Sequence, residues 1–79
     1  MSKKRKFDQI RDIILHDLLE GKKTLNKIAT DSGINWKTVE RHIIFLIGKG
    51  MVHEIFSSPY VKIVELTGKG KEYLEVRAG

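Results

Sequence analysis

The sequence reads as an α+β domain: three helices, then a β-hairpin, then a short closing helix. Periodicity carries that reading. Through the first 48 residues, apolar side chains recur at the three-to-four-residue spacing of amphipathic helices. After Gly50 the pattern changes to β-branched and aromatic residues that partly alternate with polar ones. Residues that cap and terminate helices stand at each change of pattern.

In the first helix, expected from Phe7 to Glu20, Phe7, Ile10, Ile14 and Leu18 form the stripe. Ile13, Leu15 and Leu19 widen it beyond what a small core usually demands. Gly21 supplies the stop. Thr24 is the expected N-cap of a short second helix over 25–33, which buries Leu25, Ile28 and Ala29. Gly33 can take the positive φ of a tight turn. Asn35 then caps a third helix running to about Gly48. The segments "MVHEIF" and "YVKIVEL" flank "SSP" as the strands and tip of a hairpin. Lys22 to Thr24 is placed to add a short third strand. Last comes "TGKGKEYLEV", a short helix in which Tyr73, Leu74 and Val76 are expected to reach the core. Residues 1–6 read as a flexible basic arm and 7–79 as one domain.

Seventy-nine residues allow only a small core, and the absence of cysteine excludes disulfides and thiolate zinc sites. No apolar run approaches the ~18 residues of a membrane span, and no signal-peptide pattern appears. A soluble, cytoplasmic protein is expected. No nucleophile arrangement or phosphate-cradling glycine loop is present, since "GKGK" lacks Walker spacing, so no enzyme is expected. His16, His42 and His53 fall in separate elements without metal-ligand spacing, and neither metal nor cofactor is predicted.

The formal charge of +5 is unevenly spread. Lys3, Lys4, Arg5 and Lys6 stand unopposed at the start, whereas residues 7–21 hold Arg11 against four carboxylates. Residues 22–49 carry Lys22, Lys23, Lys27, Lys37, Arg41 and Lys49 against only Asp31 and Glu40. That distribution suits a polyanion-binding face with a neutral or acidic back.

A short helix, a glycine-containing turn and a longer helix make a helix-turn-helix unit. Residues 24–46 fit it, with Ala29 at the helix crossing and Val39, Ile43 and Leu46 pointing inward. The stretch "TVERHIIFLIGKGMV" resembles bacterial and archaeal winged-helix regulators that read roughly T/S-V-x-R-H-L-x-x-L-x-x-x-G-L-V. Thr38, Val39, Arg41, His42, Ile43, Leu46, Gly50, Met51 and Val52 occupy those places. "ELTGKGKEYLE" is similar to the LTxxGxxxL that closes many archaeal members. The "KKRK" start also resembles small winged-helix DNA-binding proteins of thermophilic archaea. The likeness spans about residues 7–76 and implies a winged helix-turn-helix fold that binds double-stranded DNA. The long C-terminal coiled-coil helix through which some of those proteins dimerise is not expected here.

The resemblance implies that the helix at about 35–48 enters the major groove, its first turns facing the bases. Asn35, Trp36, Lys37, Thr38 and Arg41 are then the readers, with Arg41 taking a guanine edge or a phosphate and Lys37 a phosphate. Trp36 either extends the core stripe, which its spacing from Val39 and Ile43 favours, or meets DNA. His42 lies near the DNA backbone or is an ordinary surface histidine. Lys22, Lys23 and Thr24 border the motif. Ser57, Ser58, Tyr60 and Lys62 form a modestly basic wing, and Lys3, Lys4, Arg5 and Lys6 either track phosphates or solvate a loose tail.

Val39, Ile43, Leu46 and Ile47 suffice for the inward face of the third helix. Ile44 and Phe45 project elsewhere and join the surplus on the first helix. The rest of the fold wraps them, or a homodimer forms through helix 7–20 and the C-terminal helix. The leading expectation is a dimeric, sequence-specific transcriptional regulator. The alternatives are a nonspecific chromatin-like protein and a winged-helix protein-interaction module. Lys, Ile and Glu usage points to a thermophilic archaeon or one of its viruses or plasmids.

Overall fold

The computed structural model describes residues 5–78. In order, these form α1 (Arg5–Leu18), β1 (Lys23–Thr24), α2 (Leu25–Ser32), α3 (Trp36–Gly48), β2 (Val52–Ser57), β3 (Lys62–Leu66) and α4 (Gly68–Ala78). An antiparallel sheet in the order β1-β3-β2 lies beside the helices.

The expected capping chemistry sets the boundaries of the central unit. Thr24 is extended, and its hydroxyl accepts the Lys27 N–H at 3.0 Å, satisfying one of the donors left open at a helix start. Asn35 does the same for α3 through the Lys37 N–H at 2.8 Å. Gly33, at φ 73°, ends α2 in the left-handed conformation and donates to the Ala29 carbonyl at 2.9 Å. A second left-handed glycine, Gly50 at φ 77°, closes α3. It donates to the Ile47 carbonyl while Met51 N–H reaches the Leu46 carbonyl, the double bond pattern of a Schellman stop.

The first helix differs from expectation at both ends. Its backbone takes in Arg5 and Lys6, which were assigned to the arm, because lysine and arginine are good helix formers and nothing before Phe7 breaks the helix. It stops at Leu18, and Leu19 and Glu20 tighten into a turn before Gly21. Residues 1–4, including Lys3 and Lys4, lie outside the described residues.

One core joins the four helices with β2 and β3. Ile14, Leu15 and Leu18 meet Leu25 and Ile28, then Val39, Ile43 and Leu46, with Val52, Val64, Leu66 and Leu74 closing it from the sheet and α4. Leu15, expected to be surplus, is therefore core. Val76, expected in the core, is 73 % exposed because α4 turns only Leu74 and part of Tyr73 inward.

The closing LTxxGxxxL motif has a physical account in this packing. Leu66 and Leu74 are buried. The Thr67 hydroxyl donates to the Gly50 carbonyl at 2.6 Å and accepts the Gly70 N–H at 3.0 Å, so it caps α4 and ties it to the end of α3. Gly70 lies so close to the Met51 carbonyl and the Leu66 side chain that no Cβ fits there.

Candidate nucleic-acid interface

The α2–turn–α3 unit presents one face of α3 outward. Lys37, Arg41 and Ile44 are exposed, and their spacing puts them on one stripe. Asn35 stands exposed at its start, with Thr38 half-buried beside it. Ile44, 59 % exposed, is not wrapped by the rest of the fold; it continues the stripe of Lys37 and Arg41 by one turn. The stripe thus combines two cations with an apolar contact of the kind that meets a thymine methyl.

Several expected side chains lie elsewhere than the sequence suggests. His42 is neither near a DNA backbone nor on the surface: it is 3 % exposed, because its position on α3 faces α1. Arg11 Nε donates to His42 Nδ1 at 3.4 Å. Burial, followed by the nearby Arg11 and Arg41 charges, pushes the imidazole below the ordinary histidine pKa. Trp36 is not core either. At 41 % exposure it stands at the first residue of α3, beside the hairpin.

Lys23 turns inward. Its ammonium lies 2.6 Å from Asp17, 2.8 Å from Glu20 and 2.8 Å from Asp31, with the side chain only 8 % exposed. Hydrogen bonds to Asp17, Asp31 and Glu20, in that order, raise its pKa further above the lysine range. The same ammonium, with Lys27 beyond it, lowers that of Asp31. This fork fastens β1 to α1 and α2, so Lys23 offers no free charge to a polyanion. These three carboxylates lie close enough together to resemble a cation site, and Lys23 already fills that role. Thr24, half-buried, spends its hydroxyl on the α2 cap. Lys22 stays exposed beside them.

The hairpin stands next to the start of α3. Its tip is held by Ser58, whose hydroxyl accepts the N–H groups of Tyr60 and Val61 at 3.2 and 3.0 Å, while Ser58 N–H donates to the Val61 carbonyl. Lys62, the expected wing cation, is half-buried and sits 3.5 Å from Glu54. The register slips between Glu54 and Phe56, leaving Ile55 as a bulge. Ser57, Pro59 and Tyr60 are exposed, with Ile55, Phe56 and Val61 adding apolar surface.

With this geometry, solved structures can be compared. The chain superposes with a TM-score of 0.79 on BpsR of Bordetella bronchiseptica, whose DNA binding is regulated by 6-hydroxynicotinic acid, at 21 % identity over 87 % of this chain and 50 % of that one. It matches the transcriptional regulator BldR of Sulfolobus solfataricus at 0.76, with 25 % identity over 84 % of this chain and 49 % of that one. The fold is a winged helix-turn-helix. A third winged-helix match, the Zalpha domain of Carassius auratus PKZ in complex with Z-DNA, has a TM-score of 0.70 and 25 % identity over 78 % of this chain and 98 % of that domain. The winged-helix chain spans about half the length of the first two regulators. No family model and no curated protein matches the sequence.

Sequence reasoning overlooked Glu40, Ile44, Pro59 and Val61. A signal existed for Ile44, which lies seven residues after Lys37 and three after Arg41. None existed for the wing residues, whose approach to α3 is set by the hairpin's path. Among the described residues, no helix is long and apolar enough to cross a membrane.

Proposed function

We propose that the protein is a cytoplasmic, sequence-specific DNA-binding transcriptional regulator that inserts α3 into the major groove of a duplex. The outward stripe of Lys37, Arg41 and Ile44 on the second helix of a helix-turn-helix, with the wing beside it, carries this reading. Arg41 has the donor fork for a guanine edge, and Lys37 and Asn35 suit phosphates at the groove's margin. Lys22 adds a peripheral cation, and the unopposed charge of Lys3, Lys4, Arg5 and Lys6 favours a polyanionic partner.

The regulator acts as a homodimer through α1 and α4. Ile13 on α1, Leu19 in the turn after it and Val76 on α4 remain exposed, which supports an apolar contact between copies. A two-fold pair would set its recognition helices about one helical turn apart on a palindromic site.

Binding-site selection from random duplexes, followed by gel shifts at two salt concentrations, tests this. A recovered consensus bound more tightly than random duplex, with affinity falling as salt rises, is the expected result. Binding indifferent to sequence would leave a chromatin-like role. No duplex binding at low salt would leave a protein-interaction module.

A further inference from the structure

The wing of this protein is poorly suited to gripping phosphate. Its one cation, Lys62, is engaged by Glu54, and Ile55, Phe56, Tyr60 and Val61 give it exposed apolar and aromatic surface. Between the wing tip and the first turn of α3 lies a cleft of about 190 Å³, lined by Trp36 and Glu40 from the helix, Leu25 below, and hairpin residues 57–62, the Glu54-paired Lys62 among them. Tyr60 is 90 % exposed, so its ring is free to cover a guest, and the Ser58 hydrogen bonds fix the tip that carries it. Glu40 stands one turn beyond Trp36 on the same side of α3, and no cation pairs with it among the described residues.

We infer that this cleft seats a single unstacked nucleobase bearing an exocyclic amino group, cytosine or adenine. The exposed rings of Trp36 and Tyr60 at its rim offer stacking faces to any base. The Glu40 carboxylate at its wall can accept a hydrogen bond from the amino group, as acidic side chains do from cytosine N4. Continuity with the Lys37–Arg41 stripe on the same helix favours nucleic acid over a protein as the occupant. The inference rests on the duplex-binding reading above and deepens it: α3 holds the duplex while the wing accepts a base that has left the stack.

The protein's one tryptophan is Trp36, so its fluorescence reports the slot directly. The probes are a short random duplex and the same duplex with one bulged cytosine or one bulged thymine, with affinity followed by the anisotropy of labelled DNA. The bulged-cytosine duplex should bind about tenfold more tightly than the intact one and quench Trp36. Bulged thymine, which presents an acceptor in place of the amino group, should gain less. Tyr60→Ala should remove the advantage of the bulge, read as the ratio of bulged to intact duplex affinity in the same variant. Glu40→Gln should erase the preference for cytosine over thymine. Equal binding of intact and bulged duplexes with Trp36 unquenched would overturn the slot and leave the regulator reading standing. Failure to bind every duplex at low salt would overturn both and mark the apolar wing as a protein-docking face.

Discussion

Arg11 covers the Phe45 ring, its guanidinium 3.7 Å from the ring centroid. Its Nε also donates to His42 Nδ1, and an arginine N–H cannot accept in return. His42 is therefore held neutral with Nδ1 as acceptor, and a proton arriving there would face both a donor and a cation. Lys49, 5.6 Å from the same ring, adds a second positive charge. Phe45, expected to need an apolar cover, is dressed by cations instead.

Acid should destabilise the fold through His42. Its folded pKa lies below its ordinary value of 6.5, so the unfolded chain binds the proton more readily. The stabilising contribution is complete above pH 6.5 and is lost as pH falls through the folded value. Urea denaturation between pH 7.5 and 5 should show the midpoint falling in the wild type. His42→Gln should flatten that slope; an unchanged slope would remove His42 as its source.

Lys23 fastens three carboxylates from α1, the following turn and α2. Lys23→Met should lower thermal stability, because it leaves Asp17, Glu20 and Asp31 in mutual repulsion, and adding Asp31→Asn should restore part of the loss. Duplex affinity should hold at temperatures where the variant is folded, since Lys23 points away from the proposed interface. A selective loss of affinity in the folded variant would contradict the inward role.

Gly70→Ala should destabilise by about 1–3 kcal/mol in denaturant titration, since the added methyl would press on the Met51 carbonyl and the Leu66 side chain. Gly68→Ala, two residues earlier with open space around its Cα, should not. Equal effects would mean that α4 yields at Gly70.

Arg41→Ala and Lys37→Ala should separate base reading from phosphate contact. The first should cost about 1–3 kcal/mol on the selected site and relax its sequence preference. The second should weaken all duplexes alike and reduce the salt slope by about one. The opposite pattern would exchange the two roles.

Sedimentation of Ile13→Glu against the wild type examines the α1–α4 dimer. A dimer that becomes a monomer is expected; a monomeric wild type would dismiss the contact.

Local chemistry was legible before any coordinates. Thr24, Gly33, Asn35 and Gly50 act on residues within five positions of themselves, so their caps and turns follow from sequence. The inward stripe of Val39, Ile43 and Leu46 and the hairpin followed from period alone. The site was less legible, because identical residue types serve opposite ends. Lys22 and Lys23 are neighbours, yet one is exposed and the other holds three carboxylates.

By itself, then, the sequence determined the order of elements and their caps, since short-range hydrogen bonds and side-chain periodicity need nothing distant. Tertiary structure alone decided that His42 is buried under Arg11, that Lys23 is consumed, and that Trp36 leaves the core to face the wing. Each depends on a neighbour from another element: α1 over α3, α1 and α2 around β1, and the hairpin beside α3. A linear pattern shows which face of a helix is apolar. It does not show which surface packs against it, and that surface sets charge, exposure and pKa.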